Sequence, residues 1–184
     1  VRTVLGDVAA ETIGPVMVHE HVLFNIVPPG ILADLDKPIL PHERWQIDYR
    51  SNETQANAHQ TDPDIASTEL VAFGRDGGSL IVDQSVTGLT RNATGLVRAS
   101  RQSGIHVVAA AGTYTAAFLN SETLAMDEAA LTARFTAEIN TGIDDTAIRA
   151  GLIGEMGCSW PLHPFEHRAL IAAARTQVAT GAAI

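Results

Sequence analysis

Four short apolar runs, each followed by a longer segment with helical spacing, divide most of this chain. The runs are nearly continuous in apolar residues, as expected of parallel strands that are buried on both faces. They cover residues 16–19, 79–83, 106–110 and 151–155. Alternation of such strands with helices predicts an α/β fold built on a parallel sheet.

Helix start and stop signals lie between and after these runs. Asp62 followed by Pro63 is typical of an N-cap and a first helical turn. Ala66, Leu70 and Phe73 then repeat at the spacing of one buried helix face. Three further helices are predicted from their spacing and terminal glycines: about Asn92 to Gln102 with a stop at Gly104, Asp127 to Gly142 with Leu131, Phe135 and Ile139 on one face, and Pro164 to Gly181 with Leu170, Ala174 and Val178 buried.

Four strand–helix units amount to half of a (β/α)8 barrel, a fold that typically needs about 250 residues, whereas this chain has 184. Residues 182–184 are predicted to begin a fifth strand. We therefore expect residues 1–184 to be the N-terminal half of a single barrel. Its open edges would need cover from the C-terminal half of the barrel or from a second chain.

A long segment at about 22–61 separates the first run from the first helix. It contains Pro28-Pro29-Gly30, Pro38 and Pro41, and a polar stretch from Arg50 to Gln60. Connections in α/β units usually have about 2–6 residues, so this one is predicted to be a functional loop or partly disordered. We favour a lid beside the functional site.

Charge and composition narrow the classes of partner. The chain carries 12 Lys and Arg against 21 Asp and Glu, a net charge of -9, which disfavours nucleic acid and anionic membrane surfaces. The sequence contains no run of about 18 apolar residues, so no membrane span is predicted. The single cysteine, Cys158, excludes an intrachain disulfide. We expect a cytoplasmic protein that acts on a small molecule.

His19 and His21 stand at the end of the first apolar run, with Glu20 between them. Side chains alternate across a strand, so the two imidazoles are expected on one side and Glu20 on the other. Such a pair can share a metal ion, and ligands collect at the carboxyl ends of barrel strands. The alternative is two ordinary histidines, but their place at a strand end favours the metal site.

Glu155 ends the fourth run, between Gly154 and Gly157. Burying a carboxylate there costs several kcal/mol unless it is paired or bound to a cation. A salt bridge to an arginine would explain Glu155 equally well when it is considered alone. Together with His19 and His21 at one barrel mouth, the metal-ligand interpretation is favoured, with zinc first and manganese, iron or cobalt as alternatives.

Other residues near strand ends are weaker candidates. Asp83 could orient a ligand histidine from outside the ligand set, but capping of the next turn is slightly favoured. Tyr114 could line a substrate pocket, although packing is the commoner role of a lone aromatic residue. Cys158 is taken as structural, because a catalytic thiol would need a lowered pKa. The remaining histidines are interpreted as non-ligands: His42, His59, His106, His163 and His167.

Four segments of the chain resemble the phosphotriesterase family of the amidohydrolase superfamily, especially its phosphotriesterase-related branch. The segments are 14–21 (GPVMVHEH), 78–83 (GSLIVD), 87–91 (TGLTR) and 151–162 (GLIGEMGCSWPL). The resemblance implies a (β/α)8 barrel that holds two divalent metals, usually zinc. His19 and His21 would bind one metal, Glu155 would bridge the pair, and Tyr114 would lie beside the leaving group.

The resemblance also implies what the chain lacks. Organophosphate hydrolases and lactonases of the family carry a carboxylated lysine at the position of Glu155, so this chain departs from them and resembles the related branch. Two further histidines and a general-base aspartate are expected beyond Ile184. A homodimer is expected by family analogy alone.

The leading hypothesis is a binuclear metal-dependent hydrolase in which a metal-bridging hydroxide attacks an ester, lactone, amide or phosphotriester. The alternative is a noncatalytic binding protein or an inactive truncated half-barrel that persists only by association. Ligand residues on strand ends motivate the first hypothesis, and the position of Ile184 after only four strand–helix units motivates the second.

Overall fold

A four-stranded parallel sheet is the centre of the computed structural model, which describes residues 1–29, 39–49 and 57–184. The strands are β1 (Arg2–Thr3), β2 (Gly6–Asp7), β3 (Val16–Glu20), β4 (Phe24–Asn25), β5 (His59–Gln60), β6 (Leu80–Asp83), β7 (His106–Ala111) and β8 (Leu152–Ile153). The helices are α1 (Arg44–Tyr49), α2 (Pro63–Arg75), α3 (Ala93–Ser103), α4 (Ser121–Leu124), α5 (Glu128–Asn140) and α6 (Pro164–Thr180). Strands β3, β6, β7 and β8 are neighbours in this order, and each pair is parallel. The predicted half of a (β/α)8 barrel is confirmed.

The fourth and fifth strands differ from their predicted extents. Strand β8 covers only two of the five predicted residues, so Glu155 follows the strand by two residues. Residues 182–184 have no strand assignment. The Ile153 amide nevertheless donates to the Ala183 carbonyl at 2.8 Å, which places this segment beside β8.

The predicted starts of α2, α3 and α5 and the predicted ends of α3 and α6 are confirmed by their caps, whereas α5 ends at Asn140, two residues before the predicted Gly142. The side chains of Asp62, Asn92 and Asp127 each accept a hydrogen bond from a backbone amide in the first turn of α2, α3 and α5. Gly104 and Gly181 adopt the left-handed conformation after α3 and α6, with φ of 74° and 72°. A residue without a Cβ takes this conformation at least cost, so both helices end where expected.

The predicted buried face of α6 is wrong. Leu170 is 39% exposed and Val178 is 83% exposed, and Ala174 is also exposed. The buried residues lie on another face and include Phe165, Ala169, Ala172 and Ala173. The physical reason is the neighbour: α6 packs against α5 through a cluster around Phe135 and Phe165, and small residues allow the close approach. On α5 the predicted stripe of Leu131, Phe135 and Ile139 is buried as expected.

Most of the core lies between the sheet and its helices. Its largest cluster joins side chains of β6, β7 and β8 to those of α2, α3 and α5. The hairpin of β1 and β2 lies at the amino end of the sheet, where the Val4 amide donates to the Val107 carbonyl at 2.8 Å. The opposite, carboxyl end of the sheet is left to the loops that carry the candidate site.

The long segment predicted at about 22–61 has local structure in its described parts. Strands β4 and β5 pair antiparallel, and α1 lies between them in the chain. The lid hypothesis falls partly on residues 30–38 and 50–56, which lie outside the described residues. Among the helices of the described ranges, none combines the length and apolar character needed to cross a membrane.

Candidate metal centre

Three side chains of metal-ligand type converge at the carboxyl end of the sheet. His19 lies in β3, His21 follows it, and Glu155 follows β8. One donor atom from each residue lies within 4.8 Å of the other two. The His19 Nε2 atom is 3.1 Å from Glu155 Oε2, and the His21 Nε2 atom is 3.9 Å from Glu155 Oε1. The chain therefore brings together the first and the last strand of the sheet through these side chains.

Regular alternation of side chains along β3 does not by itself explain how His19 and His21 come together. The pairing of β3 with β6 shifts register between Met17 and Glu20, so the strand is irregular where the histidines begin. His19 borders the groove over the inner face of the sheet, whereas His21 and Glu20 border a cleft beside α2. The two rings still meet edge to face with centroids 5.4 Å apart. The strict alternation predicted from the sequence is therefore not observed, because His21 shares its cleft with Glu20 and not with His19.

A buried, unpaired oxygen atom of Glu155 indicates that the trio fits a metal ion. Glu155 Oε1 is buried and has no hydrogen-bond partner among the described residues. A buried polar atom of this kind is costly unless something pairs with it. Two imidazole nitrogens and a carboxylate oxygen are a ligand set that suits zinc and similar divalent cations.

The pKa shifts in the trio favour the metal-binding form of His21 but oppose that of Glu155. Burial, with help from the nearby His19, lowers the pKa of His21, which favours the neutral ring. Burial raises the pKa of Glu155, and His19 opposes that rise through its charge and its hydrogen bond. A cation between these groups would favour the ionised carboxylate, because an opposite charge stabilises the charged form.

Asp83 is linked to His21 through Ser85. One carboxylate oxygen of Asp83, Oδ1, accepts the Val22 amide at 2.8 Å and the Ser85 hydroxyl at 3.0 Å. The Ser85 Oγ atom is in turn 3.2 Å from His21 Nδ1. Burial raises the pKa of Asp83 to about 7, although these hydrogen bonds oppose the rise. Asp83 thus binds the backbone after β3 and the Ser85 side chain, and Ser85 links it to His21, so its role behind a ligand histidine stays a prediction.

Two mouth loops, residues 113–118 after β7 and residues 155–163 after β8, are joined by Glu166. Its carboxylate accepts the Ala116 amide from the first loop, at 3.0 Å. It accepts the amide and hydroxyl of Ser159 and the amide of His163 from the second loop, at 2.8 to 3.1 Å. Burial alone would raise the pKa of Glu166, but these hydrogen bonds outweigh it and hold the pKa below its ordinary value.

Tyr114 lies on the first mouth loop. Its ring contacts Phe118 with centroids 5.1 Å apart, and the residue is about half-buried. Burial raises the pKa of the Tyr114 hydroxyl, and the charge of Glu155 adds to the rise. The residue therefore packs within its loop and also lies at the same end of the sheet as the trio.

Three of the residues interpreted as non-ligands have other properties or positions in the structure. Burial and the neighbouring Glu166 raise the pKa of the Cys158 thiol, which is the opposite of what a catalytic thiol needs. His163 caps α6 by accepting the Phe165 amide on Nδ1. His106 opens β7 at the amino end of the sheet. In the described part of the chain, His19, His21 and Glu155 form the one group of three or more ligand-type residues.

The phosphotriesterase family profile matches this chain over residues 1–184, its whole length. The chain belongs to the phosphotriesterase family. Curated relatives include the N-acetyltaurine hydrolase of Homo sapiens, 34% identical over 98% of this chain, and that of Danio rerio, 33% identical over 98%. The chain spans 54% of the length of each. The resemblance stated from the sequence is therefore confirmed.

Solved structures agree with this family fold. A resiniferatoxin-binding protein from Rhodobacter sphaeroides superposes with a TM-score of 0.89 at 29% identity, covering 98% of this chain and 52% of that one. A lactonase from Listeria monocytogenes superposes with a TM-score of 0.75 at 21% identity, covering 98% and 54%. The chain matches about half of each of these structures.

Two residues that organise this phosphotriesterase-family site were missed from the sequence. Ser85 is fully buried beside His21, and Glu166 is fully buried beneath the mouth loops. The spacing Asp-x-Ser after a predicted strand was the available signal for Ser85. For Glu166 the signal was a carboxylate three residues after His163, the N3 position of a capping box.

Proposed function

We propose that the complete protein is a divalent-metal-dependent hydrolase. The convergence of His19, His21 and Glu155 within 4.8 Å at the carboxyl end of a half-barrel supports this proposal most strongly. In (β/α)8 enzymes the reacting groups lie at this end of the barrel. Relatives in the family that carry the name of a hydrolase add support for the reaction class.

In this proposal His19, His21 and Glu155 would hold the metal, and Glu155 would be shared with a second cation, with zinc as the expected metal. Bound metals supply a water of lowered pKa and polarise the bond to be cleaved. The Glu155 carboxylate oxygens lie 3.1 Å from His19 Nε2 and 3.9 Å from His21 Nε2, close enough for the three residues to hold one cation together. A general-base aspartate and two further histidines are proposed to come from chain beyond Ile184.

The proposed substrates are small molecules with an acyl bond. Relatives named N-acetyltaurine hydrolases make N-acyl amides the first class to test. Lactones and carboxylic esters come next, and phosphotriesters last, since Glu155 stands where a carboxylated lysine is expected in organophosphate hydrolases of the family. Tyr114 is proposed to contact the substrate from the first mouth loop.

The experiment measures metal content and hydrolysis in the complete protein. Purified wild type is expected to contain zinc or another divalent metal and to hydrolyse at least one member of a panel of N-acetyltaurine, a lactone, an aryl ester and a phosphotriester. His19→Ala and Glu155→Ala are expected to lose metal and activity together. His106→Ala is the control, because this histidine stands at the opposite end of the sheet.

The metal content of the three variants distinguishes support for the proposal from its rejection. Loss of metal in both site variants but not in His106→Ala supports the proposal. Metal content and activity retained in both site variants would overturn it, because ligands from two strand ends would then be unnecessary. Wild type free of metal, and inactive after incubation with zinc, manganese, iron or cobalt, would overturn it as well.

A further inference from the structure

We propose that Ser85 is a positioning residue that fixes the ring tautomer of His21 and so directs the lone pair of His21 Nε2 toward Glu155. The inference rests on the proposed function, because the lone pair matters only if His21 binds a metal ion. Ser85 follows β6 and His21 follows β3, and the sequence alone does not connect them.

The geometry around Ser85 leaves little freedom. The side chain is fully buried. Its Oγ atom is 3.0 Å from Asp83 Oδ1 and 3.2 Å from His21 Nδ1. Both distances are within hydrogen-bond range, although the second lies at its outer limit. Ser85 therefore stands between a carboxylate and the ring nitrogen that faces away from Glu155.

Counting hydrogens decides the direction of each bond. The Ser85 hydroxyl has one hydrogen. As an oxygen of an ionised carboxylate, Asp83 Oδ1 can only accept, and it receives the Val22 amide at 2.8 Å and the Ser85 hydroxyl at 3.0 Å. The hydroxyl hydrogen of Ser85 is thus directed to the ionised carboxylate of Asp83. Its oxygen can then only accept from the ring of His21.

The consequence falls on the far side of the ring. A neutral imidazole carries one hydrogen, and if Nδ1 donates to Ser85 then Nε2 has none. The Nε2 lone pair is then free to bind, and this atom is 3.9 Å from Glu155 Oε1. Partners of this kind behind a ligand histidine fix its tautomer and orientation, and their loss typically weakens metal binding by about 10- to 100-fold.

A first experiment reads the tautomer without any metal. The complete protein, labelled with ¹⁵N-histidine and stripped by a chelator, gives ring nitrogen shifts that are assigned with a His21→Asn variant. Wild type is expected to show protonated Nδ1 in His21. Ser85→Ala is expected to shift His21 toward protonated Nε2, because the acceptor beside Nδ1 is gone.

A second experiment measures Zn²⁺ and Co²⁺ affinity by competition with a chelating dye. Ser85→Ala is expected to weaken affinity by about 10- to 100-fold. Ser100→Ala is the matched control: this serine is also buried and donates to the Ile105 carbonyl, but at the amino end of the sheet. If Ser85→Ala does not fold, Ser85→Cys tests the same point, because a thiol of similar shape is a weak acceptor.

An unchanged tautomer, or affinity equal to that of Ser100→Ala, overturns the inference while leaving the proposed function intact. Wild type that binds neither metal overturns the proposed function, and the inference falls with it. A change in His21 tautomer together with a selective loss of affinity supports the inference, since a purely structural serine would not alter the ring nitrogens.

Discussion

Arg91 carries a guanidinium that is almost fully buried, with 2% of its side chain exposed. It pairs with Glu138 at 2.9 Å and Asp144 at 2.7 Å, and it donates to the Ala110 carbonyl at 2.9 Å. Arg134 joins the same network through Glu138 and Thr87. The segment between β6 and α3 is thereby fastened to α5 and β7.

We expect Arg91→Ala to lower the free energy of unfolding by about 3–5 kcal/mol, because it leaves Glu138 buried without its main counter-ion. Denaturant unfolding of the complete protein measures this. Arg175→Ala is the control, since its pair with Glu128 is exposed and such pairs contribute about 0–1 kcal/mol. Equal effects of the two variants would contradict the role assigned to Arg91.

Glu166 makes the free energy of unfolding depend on pH in the acidic range. Its pKa is lowered in the folded state, so its contribution is fully present above the ordinary glutamate pKa of about 4.3 and is lost as pH falls through the folded value. Glu166→Gln is expected to lower the free energy of unfolding near neutral pH by about 1–3 kcal/mol, because an amide cannot accept all four hydrogen bonds.

The measurement is denaturant unfolding of both proteins from pH 7 to pH 3. The difference between them should shrink as pH falls, because protonated Glu166 loses the same bonds. Glu122→Gln, at an exposed position on α4, is the control and should match wild type throughout. A difference that stays constant with pH would show that ionisation of Glu166 is not responsible.

For single residues, the sequence indicates candidate metal ligands but not the residues that hold functional side chains in place. His19, His21 and Glu155 were found because residue type and position at a strand end carry the signal. Ser85 was missed because its significance depends on a contact with His21, 64 residues earlier in the chain. Arg91 was noticed within a motif, but its pairing with Glu138 and Asp144 depends on how α5 packs.

Among the elements, α6 shows where local pattern fails. Its start and end were predicted from Pro164 and Gly181, since capping depends on adjacent residues. The prediction of its buried face was wrong because the helix is alanine-rich and has several apolar faces. Packing against α5 determines which of these faces is buried. Element types follow from local pattern, whereas orientation follows from the packing of distant segments.

We expect Phe165→Ala to destabilise the complete protein by about 3–5 kcal/mol, because it opens a cavity between α5 and α6. Val178→Ala on the same helix is the control and should change stability by less than about 0.5 kcal/mol, since Val178 is 83% exposed. Thermal or denaturant unfolding measures both. A larger loss of stability in Val178→Ala than in Phe165→Ala would instead support the buried face that the sequence predicted.

Across the whole molecule, the candidate metal centre connects the two outer strands of the sheet. His19 and His21 belong to the end of β3, and Glu155 follows β8. A bound ion would therefore stabilise the folded arrangement of all four strands by mass action, by about 2.7 kcal/mol at a metal concentration 100 times the dissociation constant.

Removal of metal from the complete protein by a chelator is expected to lower its melting temperature, and added zinc should restore it. Glu155→Ala should melt at the same temperature with and without chelator, which makes it the control for nonspecific effects. Calorimetry measures each sample. A chelator effect of equal size in wild type and Glu155→Ala would place the stabilising metal elsewhere.

The open sides of the sheet also make a prediction. Val16, Met17 and Val18 of β3 are 40–68% exposed, and a groove of about 480 Å³ borders Val18, His19 and Glu155. Residues 1–184 produced alone are expected to self-associate and to bind a hydrophobic dye, because exposed strand edges and apolar faces attract further chains.

Light scattering after gel filtration tests this, with Val18→Lys as the comparison variant. A lysine on the edge strand should reduce association while leaving the helical content unchanged. A monomer that binds no dye would contradict the expectation that another polypeptide, from the C-terminal half of the barrel or from a second chain, covers these surfaces.

Glu166 and Gly157 together make the two mouth loops a single unit. Glu166 accepts hydrogen bonds from both loops, and a Cβ on Gly157 would come within 2.3 Å of the Thr115 backbone nitrogen in the opposite loop. Substitutions that move the backbone of one loop would therefore also disturb the other loop. Libraries that exchange both loops as one cassette, with Glu166 and Gly157 retained, offer a better route to altered substrate choice.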